Sequence, residues 1–184
     1  MMYNEEKNAN ILIRRLENRD TNTVLKAISA AAEIYCTNSG IAKSQIEAGK
    51  ESPQTIQNLF CSSLFYGAEQ NSQIAGTIRL TFPSVSELLS FETYRALNID
   101  TNDMCSYISR FYVNPDMHGS GIGSQLVSFA ENKARKEKAV GIFLHSAVSN
   151  KEMLSFYQKR GFRVVASENT RGYERGIFYK DLKV

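Results

Sequence analysis

The sequence is poor in the residues that build disulfide frameworks and metal sites. Its three cysteines, Cys36, Cys61 and Cys105, are odd in number, widely separated and without C-x-x-C spacing, and its two histidines are His118 and His145. Scattered cysteines argue against a disulfide scaffold and predict a reduced protein. With so few nitrogen and sulfur ligands close together in the chain, a metal site is poorly supported. We therefore expect no metal.

Long hydrophobic runs are also missing. No uninterrupted apolar stretch approaches the ~20 residues that a membrane-spanning helix needs, and residues 1–7 contain no apolar signal region. No proline- or serine-rich segment separates one part of the chain from another. These absences predict a cytoplasmic protein with no membrane partner. The length of 184 residues predicts one domain over residues 1–184.

Charge gives little sign of a nucleic-acid partner. The formal net charge is only +3, and the basic run at residues 133–138 lies where a helix would end, a position at which the helix dipole favours cations. A nucleic-acid-binding surface would need a denser basic face. We expect no nucleic-acid partner.

The most informative segment is Val113–Gly123, where an apolar strand-like run ends and an amphipathic helix begins. Gly119, Gly121 and Gly123 lack a Cβ, so they can adopt turn conformations and let backbone N–H groups approach an anion. The positive end of the helix dipole favours the same negative charge. The segment therefore predicts a loop that binds the phosphates of a cofactor.

The spacing of the glycines excludes the best-known alternatives. A dinucleotide-binding G-x-G-x-x-G would need its third glycine at Ser124 or Leu126. A P-loop would need Lys followed by Ser or Thr after the last glycine, where the chain has Ser124 and Gln125. A nucleophile elbow would need glycines two positions to either side of Ser120, and neither is present.

The remaining pattern, His-Gly-Ser-Gly-Ile-Gly at residues 118–123, resembles the acetyl-CoA loop of the GNAT acetyltransferase superfamily, Arg/Gln-x-x-Gly-x-Gly/Ala. Only His118 departs from it. A second segment, residues 150–162, resembles the family's Asn-x-x-Ala-x-x-Phe-Tyr-x-x-x-Gly-Phe, with Met153 where a small residue is usual. The two motifs follow each other in the family's order, with a suitable helix and strand between them.

The resemblance implies an α/β (α+β) fold: a mixed, mostly antiparallel central sheet of six to seven strands flanked by helices, splayed between the fourth and fifth strands. It also implies acetyl-CoA as the acyl donor, with pyrophosphate on the glycine loop and pantetheine along a bulged fourth strand. The expected cofactor-binding residues are Phe111, Tyr112, Val113, His118, Gly119, Ser120, Gly121, Ile122, Gly123, Ser124, Asn150 and Phe156.

The catalytic residues are less completely indicated. By its position after Asn150, Tyr157 matches the family tyrosine near the CoA sulfur, although a tyrosine beside Phe156 can equally be a packing residue. The fourth strand offers no carboxylate to serve as a base. An unperturbed histidine titrates near neutral pH, so His145, at the end of the fifth strand, is a candidate base, with a structural role as the alternative. Glu92 and Asp103 are weaker candidates.

Hydrophobic periodicity predicts the order of the elements. A helix beginning at Asp20 or Thr21 follows the first strand. Short helices come next, with breaks around Gly49 and Pro53, and a helical insert occupies residues 83–103. Asn150 is also a good N-cap for the helix that follows it. Strands are predicted at residues 10–16, 61–68, 73–82, 104–113, 140–145, 162–166 and 175–182, the last closing the sheet, and further helices at 121–138 and 151–159.

The function that this sequence predicts is direct transfer of an acetyl group from acetyl-CoA to a primary amine of a small molecule, with no covalent enzyme intermediate. One alternative is a CoA- or acyl-CoA-binding regulatory module without chemistry, and another is a structural partner-binding domain without CoA affinity. Both a monomer and a homodimer remain open. The insert at residues 83–103 can cover the acceptor, contribute to a dimer interface or pack against the sheet.

Overall fold

The computed structural model describes residues 11–183, so residue 10 of the predicted first strand lies outside the described part. The fold is a seven-stranded mixed sheet flanked by helices. Its strands are β1 (Leu12–Arg15), β2 (Leu64–Gln70), β3 (Gln73–Thr81), β4 (Ser106–Val113), β5 (Gly141–Ala147), β6 (Arg163–Glu168) and β7 (Arg175–Asp181). Their spatial order is β1-β2-β3-β4-β5-β7-β6. The predicted fold class is confirmed.

Six α-helices connect these strands: α1 (Thr21–Ser39), α2 (Pro53–Ser62), α3 (Val85–Leu88), α4 (Phe91–Ala96), α5 (Ile122–Lys136) and α6 (Lys151–Gln158). Short 3₁₀ turns occur at Asn18–Asp20, Lys43–Gln45, Glu47–Lys50 and Pro115–Met117. Among the described residues, no helix combines the length and the apolar character needed to cross a bilayer.

The only parallel strand pair within the described sheet is β4 with β5, and it is short. Pairing is limited to Ser106 with Ile142 and Tyr107 with Phe143. Beyond Tyr107 the two strands separate, so the main chain of β4 loses its neighbour on that side. This is the splay that the family resemblance implied.

A bulge in β4 begins three residues after Tyr107. Tyr112 pairs with Thr77 and Ser109 pairs with Arg79, so one residue of β3 faces two of β4. Within the bulge Arg110 has a φ of 49°, which is uncommon for a residue other than glycine. Thr77 Oγ1 donates a hydrogen bond to the Arg110 carbonyl at 2.9 Å and so stabilises the distortion.

Two strand predictions need correction. Residues 61–62 end helix α2 rather than begin β2, because Ser52 caps that helix by accepting a hydrogen bond from Thr55 N and the helix buries Ile56 and Phe60 one turn apart. Strand β7 does not close the sheet, since it lies between β5 and β6 and leaves β6 at the edge. Residues 175–179 are accordingly all buried.

Helix α5 packs on the sheet through the stripe that its sequence predicts. Ile122, Leu126, Ala130 and Ala134 recur at every fourth position and are completely buried, which matches the apolar face expected of such a helix. Because this face fixes α5 against β3 and β4, the N-terminus of the helix is held beside the end of β4.

The insert at residues 83–103 is helical, as predicted, and it packs against the sheet. Val85, Leu89 and Ile99 form a cluster with Phe143 and Tyr179. Of the roles left open for the insert, its apolar positions therefore serve packing.

Candidate active site

Two adjoining clefts open where β4 and β5 separate. The first cleft has a volume of about 560 Å³ and lies between α1, the end of β4, the N-terminus of α5 and α6. The second cleft, of about 190 Å³, lies between α1, the middle of β4, β5 and the segment before β7. Both are lined by Ala31, Tyr35, Phe111 and Met153. Consecutive residues of β4 pass from one cleft to the other, with Phe111 at the junction.

The glycine loop forms one end of the first cleft. Gly119 and Gly121 have φ values of 82° and 84°, and Gly121 is the N-cap of α5 with no side-chain cap. Among the main-chain amides of residues 119–124, only that of Ser120 donates to a main-chain carbonyl of the described chain, that of Met117. The unpaired amides at the helix N-terminus are the groups that bind anions in proteins.

The third glycine serves packing rather than a turn. A Cβ at Gly123 would lie 3.2 Å from the ring of Phe156 and 3.4 Å from that of Phe111. At Gly119 and Gly121, by contrast, a Cβ would meet nothing within 4 Å. Gly123 thus lets α5 approach the rings of Phe111 and Phe156 in the first cleft. Gly119 and Gly121, which also lack a Cβ, keep the space in front of the amides clear.

Arg160 places a positive charge beside these amides. Its Nη2 donates to Ser124 Oγ in the first turn of α5, and its Nη1 donates to the Phe156 carbonyl at 2.7 Å. The guanidinium carbon lies 3.5 Å from the centroid of the Phe156 ring. The buried Nε has no hydrogen-bond partner among the described residues. Arg160 therefore brings a positive charge to the lining of the first cleft.

Asn150 fixes the start of α6. It is 2% exposed, its Oδ1 accepts a hydrogen bond from Met153 N at 3.1 Å, and its Nδ2 donates to Ser39 Oγ at 3.0 Å. The predicted cap is therefore present. Asn150 also lines the first cleft, so the same residue can cap the helix and contact a ligand in the cleft.

Tyr157 lines the second cleft, close to Phe111 at the junction of the two clefts. The residue is 4% exposed, and its ring centroid lies 6.0 Å from that of Phe111 and 5.2 Å from that of Phe156. Its hydroxyl makes no hydrogen bond to any described residue and is not fully enclosed. Burial raises the pKa of the Tyr157 phenol, which therefore stays protonated.

His145 also lines the second cleft. Its Nδ1 lies 3.0 Å from the Tyr107 hydroxyl, and its Nε2 lies 3.8 Å from Glu168 Oε1. Burial lowers the pKa of His145 to about 4, with a further lowering by Arg175. At neutral pH the imidazole is uncharged and has little tendency to take a proton.

Similarity to known proteins identifies the family. The model of the Acetyltransferase (GNAT) family matches residues 31–162. The chain belongs to the GNAT acetyltransferase family. No curated protein is similar enough to count as a match.

Solved structures share the fold of this acetyltransferase. The PaiA N-acetyltransferase from Thermoplasma acidophilum, in complex with coenzyme A, is 25% identical with a TM-score of 0.70, over 94% of this chain and 99% of that one. An N-acetyltransferase from Staphylococcus aureus Mu50 is 17% identical with a TM-score of 0.68, over 95% and 99%. YncA, a putative acetyltransferase from Salmonella typhimurium with acetyl-CoA, is 16% identical with a TM-score of 0.65, over 95% of each chain.

Most residues that the sequence predicts for this acetyltransferase's site meet at the two clefts. All the expected cofactor-binding residues line the first cleft except Ser120, whose hydroxyl donates to the Met117 carbonyl at 2.5 Å. Tyr157 and His145 line the second. Glu92 and Asp103 line neither cleft.

Sequence reasoning missed several residues of the acetyltransferase's clefts. Tyr35, from α1, lies at the junction, and its hydroxyl accepts a hydrogen bond from Ala147 N at 2.6 Å. Arg160 had a usable signal, since it stands inside the second motif as a cation next to the phosphate loop. The charged residues of the second cleft had none, because they come from three segments far apart in the sequence: one holds Glu47, one Arg110, and one Arg171 and Arg175.

Proposed function

We propose that this acetyltransferase transfers an acetyl group from acetyl-CoA directly to a primary amine of a small-molecule acceptor. The observation that carries the proposal is the meeting of the two clefts at Phe111, beside the splay of β4 and β5. The larger cleft has the phosphate-binding features that a nucleotide-tailed donor needs. The smaller cleft reaches the same junction from the other side, so an acceptor amine there can meet the thioester.

In this proposal the pyrophosphate of the donor binds the free amides of residues 119–124 and the guanidinium of Arg160. Charge-assisted hydrogen bonds of this kind are stronger than neutral ones. The stacking of Arg160 on Phe156 and its hydrogen bond to Ser124 hold the cation at the helix N-terminus. His118 flanks the loop, with Nε2 3.3 Å from the Val113 carbonyl, where the family pattern has Arg or Gln.

The pantetheine is proposed to extend along Phe111, Tyr112 and Val113, past the point at which β5 stops pairing with β4. The main chain there has lost its neighbouring strand, so its polar groups are available to the donor and to the thioester carbonyl. Preorganised main-chain donors stabilise the oxyanion that develops during acyl transfer. The bulge at Arg110 is the kind of local distortion often found beside active sites.

Tyr157 is the proposed catalytic residue. Its hydroxyl has no partner within the described chain, and the raised pKa makes it a hydrogen-bond donor rather than a strong acid. We infer that it stabilises the departing thiolate by hydrogen bonding, while the proton that the amine nitrogen releases reaches the sulfur. The C–S bond breaks, the C–N bond forms, and the products are the amide and free CoA.

His145 is a weaker candidate base. A general base works best when its pKa lies near the operating pH. The pKa of His145, about 4, is far below neutral pH. The contact with the Tyr107 hydroxyl suits a role in orienting neighbouring groups. The acceptor amine must enter in its neutral form, so we expect turnover to rise with pH as that form becomes more abundant.

Two measurements on the purified full chain test the proposal. CoA and acetyl-CoA should each raise the thermal unfolding temperature, because a ligand that binds only the folded state stabilises it. A panel of primary amines should then release free thiol from acetyl-CoA only when protein and acceptor are both present. CoA binding without acceptor-dependent thiol release would favour the regulatory module, and absence of CoA binding would favour the structural domain.

A further inference from the structure

Among the charged residues that line the second cleft, cations outnumber anions. Among its described lining residues are three arginines, Arg110, Arg171 and Arg175, and one carboxylate, Glu47. The remaining titratable groups that line it are tyrosines and the neutral His145. An acceptor that enters this cleft therefore meets more positive than negative charge.

The neighbouring ion pairs offset part of this positive charge. Arg110 pairs with Glu51, Arg171 with Glu47, and Arg175 with Glu168. A fourth guanidinium, that of Arg79, lies outside the lining of the cleft; it hydrogen-bonds to the hydroxyls of Ser63 and Ser109 and has no carboxylate partner within the described residues. Burial, followed by repulsion from Arg110, lowers the pKa of Arg79. The three pairs balance, so the one surplus positive charge of the wider cluster is that of Arg79.

Arg175 is a mostly buried cation in the lining of this cleft. Its side chain is 10% exposed and its Nη2 lies 2.8 Å from Glu168 Oε1. Its Nε has no hydrogen-bond partner among the described residues and no accessible surface, so that nitrogen does not face the cleft. A guanidinium presents its N–H groups in a fork that fits a carboxylate. A carboxylate entering the cleft would therefore suit the guanidinium groups of the arginines that line it.

These observations select among amine acceptors. A diamine or polyamine would bring a second positive charge to a lining in which arginines outnumber carboxylates, and a simple monoamine would make no contact with those guanidinium groups through a carboxylate of its own. We propose that the acceptor carries a carboxylate together with its primary amine, as amino acids do, and that Arg175 and Arg171 bind that carboxylate. The inference rests on the proposed function, since it places the acceptor in the second cleft.

Matched substrates test the proposal directly. Alpha-, beta- and gamma-amino acids are compared with their own carboxamides, and with diamines and polyamines, by thiol release at saturating acetyl-CoA. The amine of a carboxamide is less basic and therefore more often neutral, so chemistry alone favours the carboxamide. A preference for the free acid in kcat/KM of ~10-fold or more, the scale of one hydrogen bond to a charged group, supports the proposal. Equal or faster transfer to carboxamides, monoamines or polyamines overturns it.

Substitutions of the cleft arginines test which residues cause the preference for the free acid over its carboxamide. Arg175→Gln should bring the ratio of acid to carboxamide toward one, a ~10- to 100-fold change. Arg171→Gln should move the ratio in the same direction, and it is less demanding for folding because the Arg171 side chain is 33% exposed. Arg19→Gln removes the same charge from a side chain that is 72% exposed and outside both clefts, and it should leave the ratio unchanged. A preference that survives in both cleft variants contradicts the assignment.

Binding separates this inference from the proposed function. If no acceptor supports thiol release, the transferase proposal fails, and the same amino acids are titrated into the CoA complex by calorimetry. Saturable binding of an amino acid that its carboxamide does not show, weakened ~10-fold or more by Arg171→Gln, still supports the carboxylate site. Absence of such binding overturns it.

Discussion

Gly121→Val is the sharpest perturbation of the proposed phosphate site, because the structure separates its effect on folding from its effect on binding. Gly121 has a φ of 84°, and a Cβ built there would meet nothing within 4 Å. Valine at a left-handed position costs about 1–2 kcal/mol in backbone strain, but no packed atom has to move. The side chain would instead occupy the space in front of the amides at the start of α5.

The expected loss of CoA affinity follows from the contacts that this side chain blocks. Hydrogen bonds to charged groups contribute about 1.5–3 kcal/mol each, so excluding the phosphate from two amides should weaken binding by at least ~3 kcal/mol, or ~100-fold in Kd. Calorimetric titration of the folded variant with CoA measures this change. Thermal unfolding without ligand measures the strain separately.

Gly40→Val is the matched control. Gly40 ends α1 with a φ of 67°, a Cβ there also meets nothing within 4 Å, and the residue lines neither cleft. It should therefore show a similar loss of stability with unchanged CoA affinity. If folded Gly121→Val protein binds CoA within about threefold of the Gly40→Val protein, a difference of only ~0.7 kcal/mol, the loop does not bind the phosphates.

Three further predictions test other parts of the structure. Tyr157→Phe should lower turnover ~10- to 1,000-fold with nearly unchanged CoA affinity, the range for loss of one hydrogen bond to a developing charge, and unchanged turnover would remove Tyr157 from the mechanism. Arg160→Gln should weaken CoA binding ~10-fold or more, whereas Arg163→Gln, exposed and outside both clefts, should not. Asp20 is 7% exposed and pairs with Arg14, whose hydrogen bond lowers the pKa of that carboxyl. Because this stabilisation is present above the unfolded pKa of ~3.9 and disappears as pH falls through the lower folded pKa, Asp20→Asn should destabilise the protein at pH 7 by about 1–3 kcal/mol. Chemical denaturation across pH should show the difference shrinking in acid.

Local patterns explain what could be predicted from the sequence. The buried stripe of α5 and the cap at Asn150 depend on residues three or four positions apart, and such spacing is directly readable. The glycine loop is equally local. The resemblance then supplied the splay between β4 and β5, which periodicity by itself does not reveal.

Non-local features were beyond the same reasoning. Strand order is set by tertiary packing, so the run at residues 175–182 gave no sign that β7 would lie between β5 and β6. The resemblance implied a bulge in the fourth strand, but its position at Arg110 had no local signal, because arginine is not a residue type enriched at positive φ. The cations of the second cleft come from β4 and from the segment leading into β7, and only the fold brings them together.

The bulge also explains how one strand can line both clefts. Residues 107–110 of β4 line the second cleft and residues 112–113 line the first, with Phe111 in both. A regular strand would go on pairing with β3 in register and would send alternate side chains to opposite faces of the sheet. The extra residue shifts that alternation at Arg110, where Thr77 holds the carbonyl and Glu51 holds the guanidinium. The proposed meeting of thioester and amine therefore depends on a main-chain distortion that side chains of β3 and of the segment before α2 stabilise from outside the clefts.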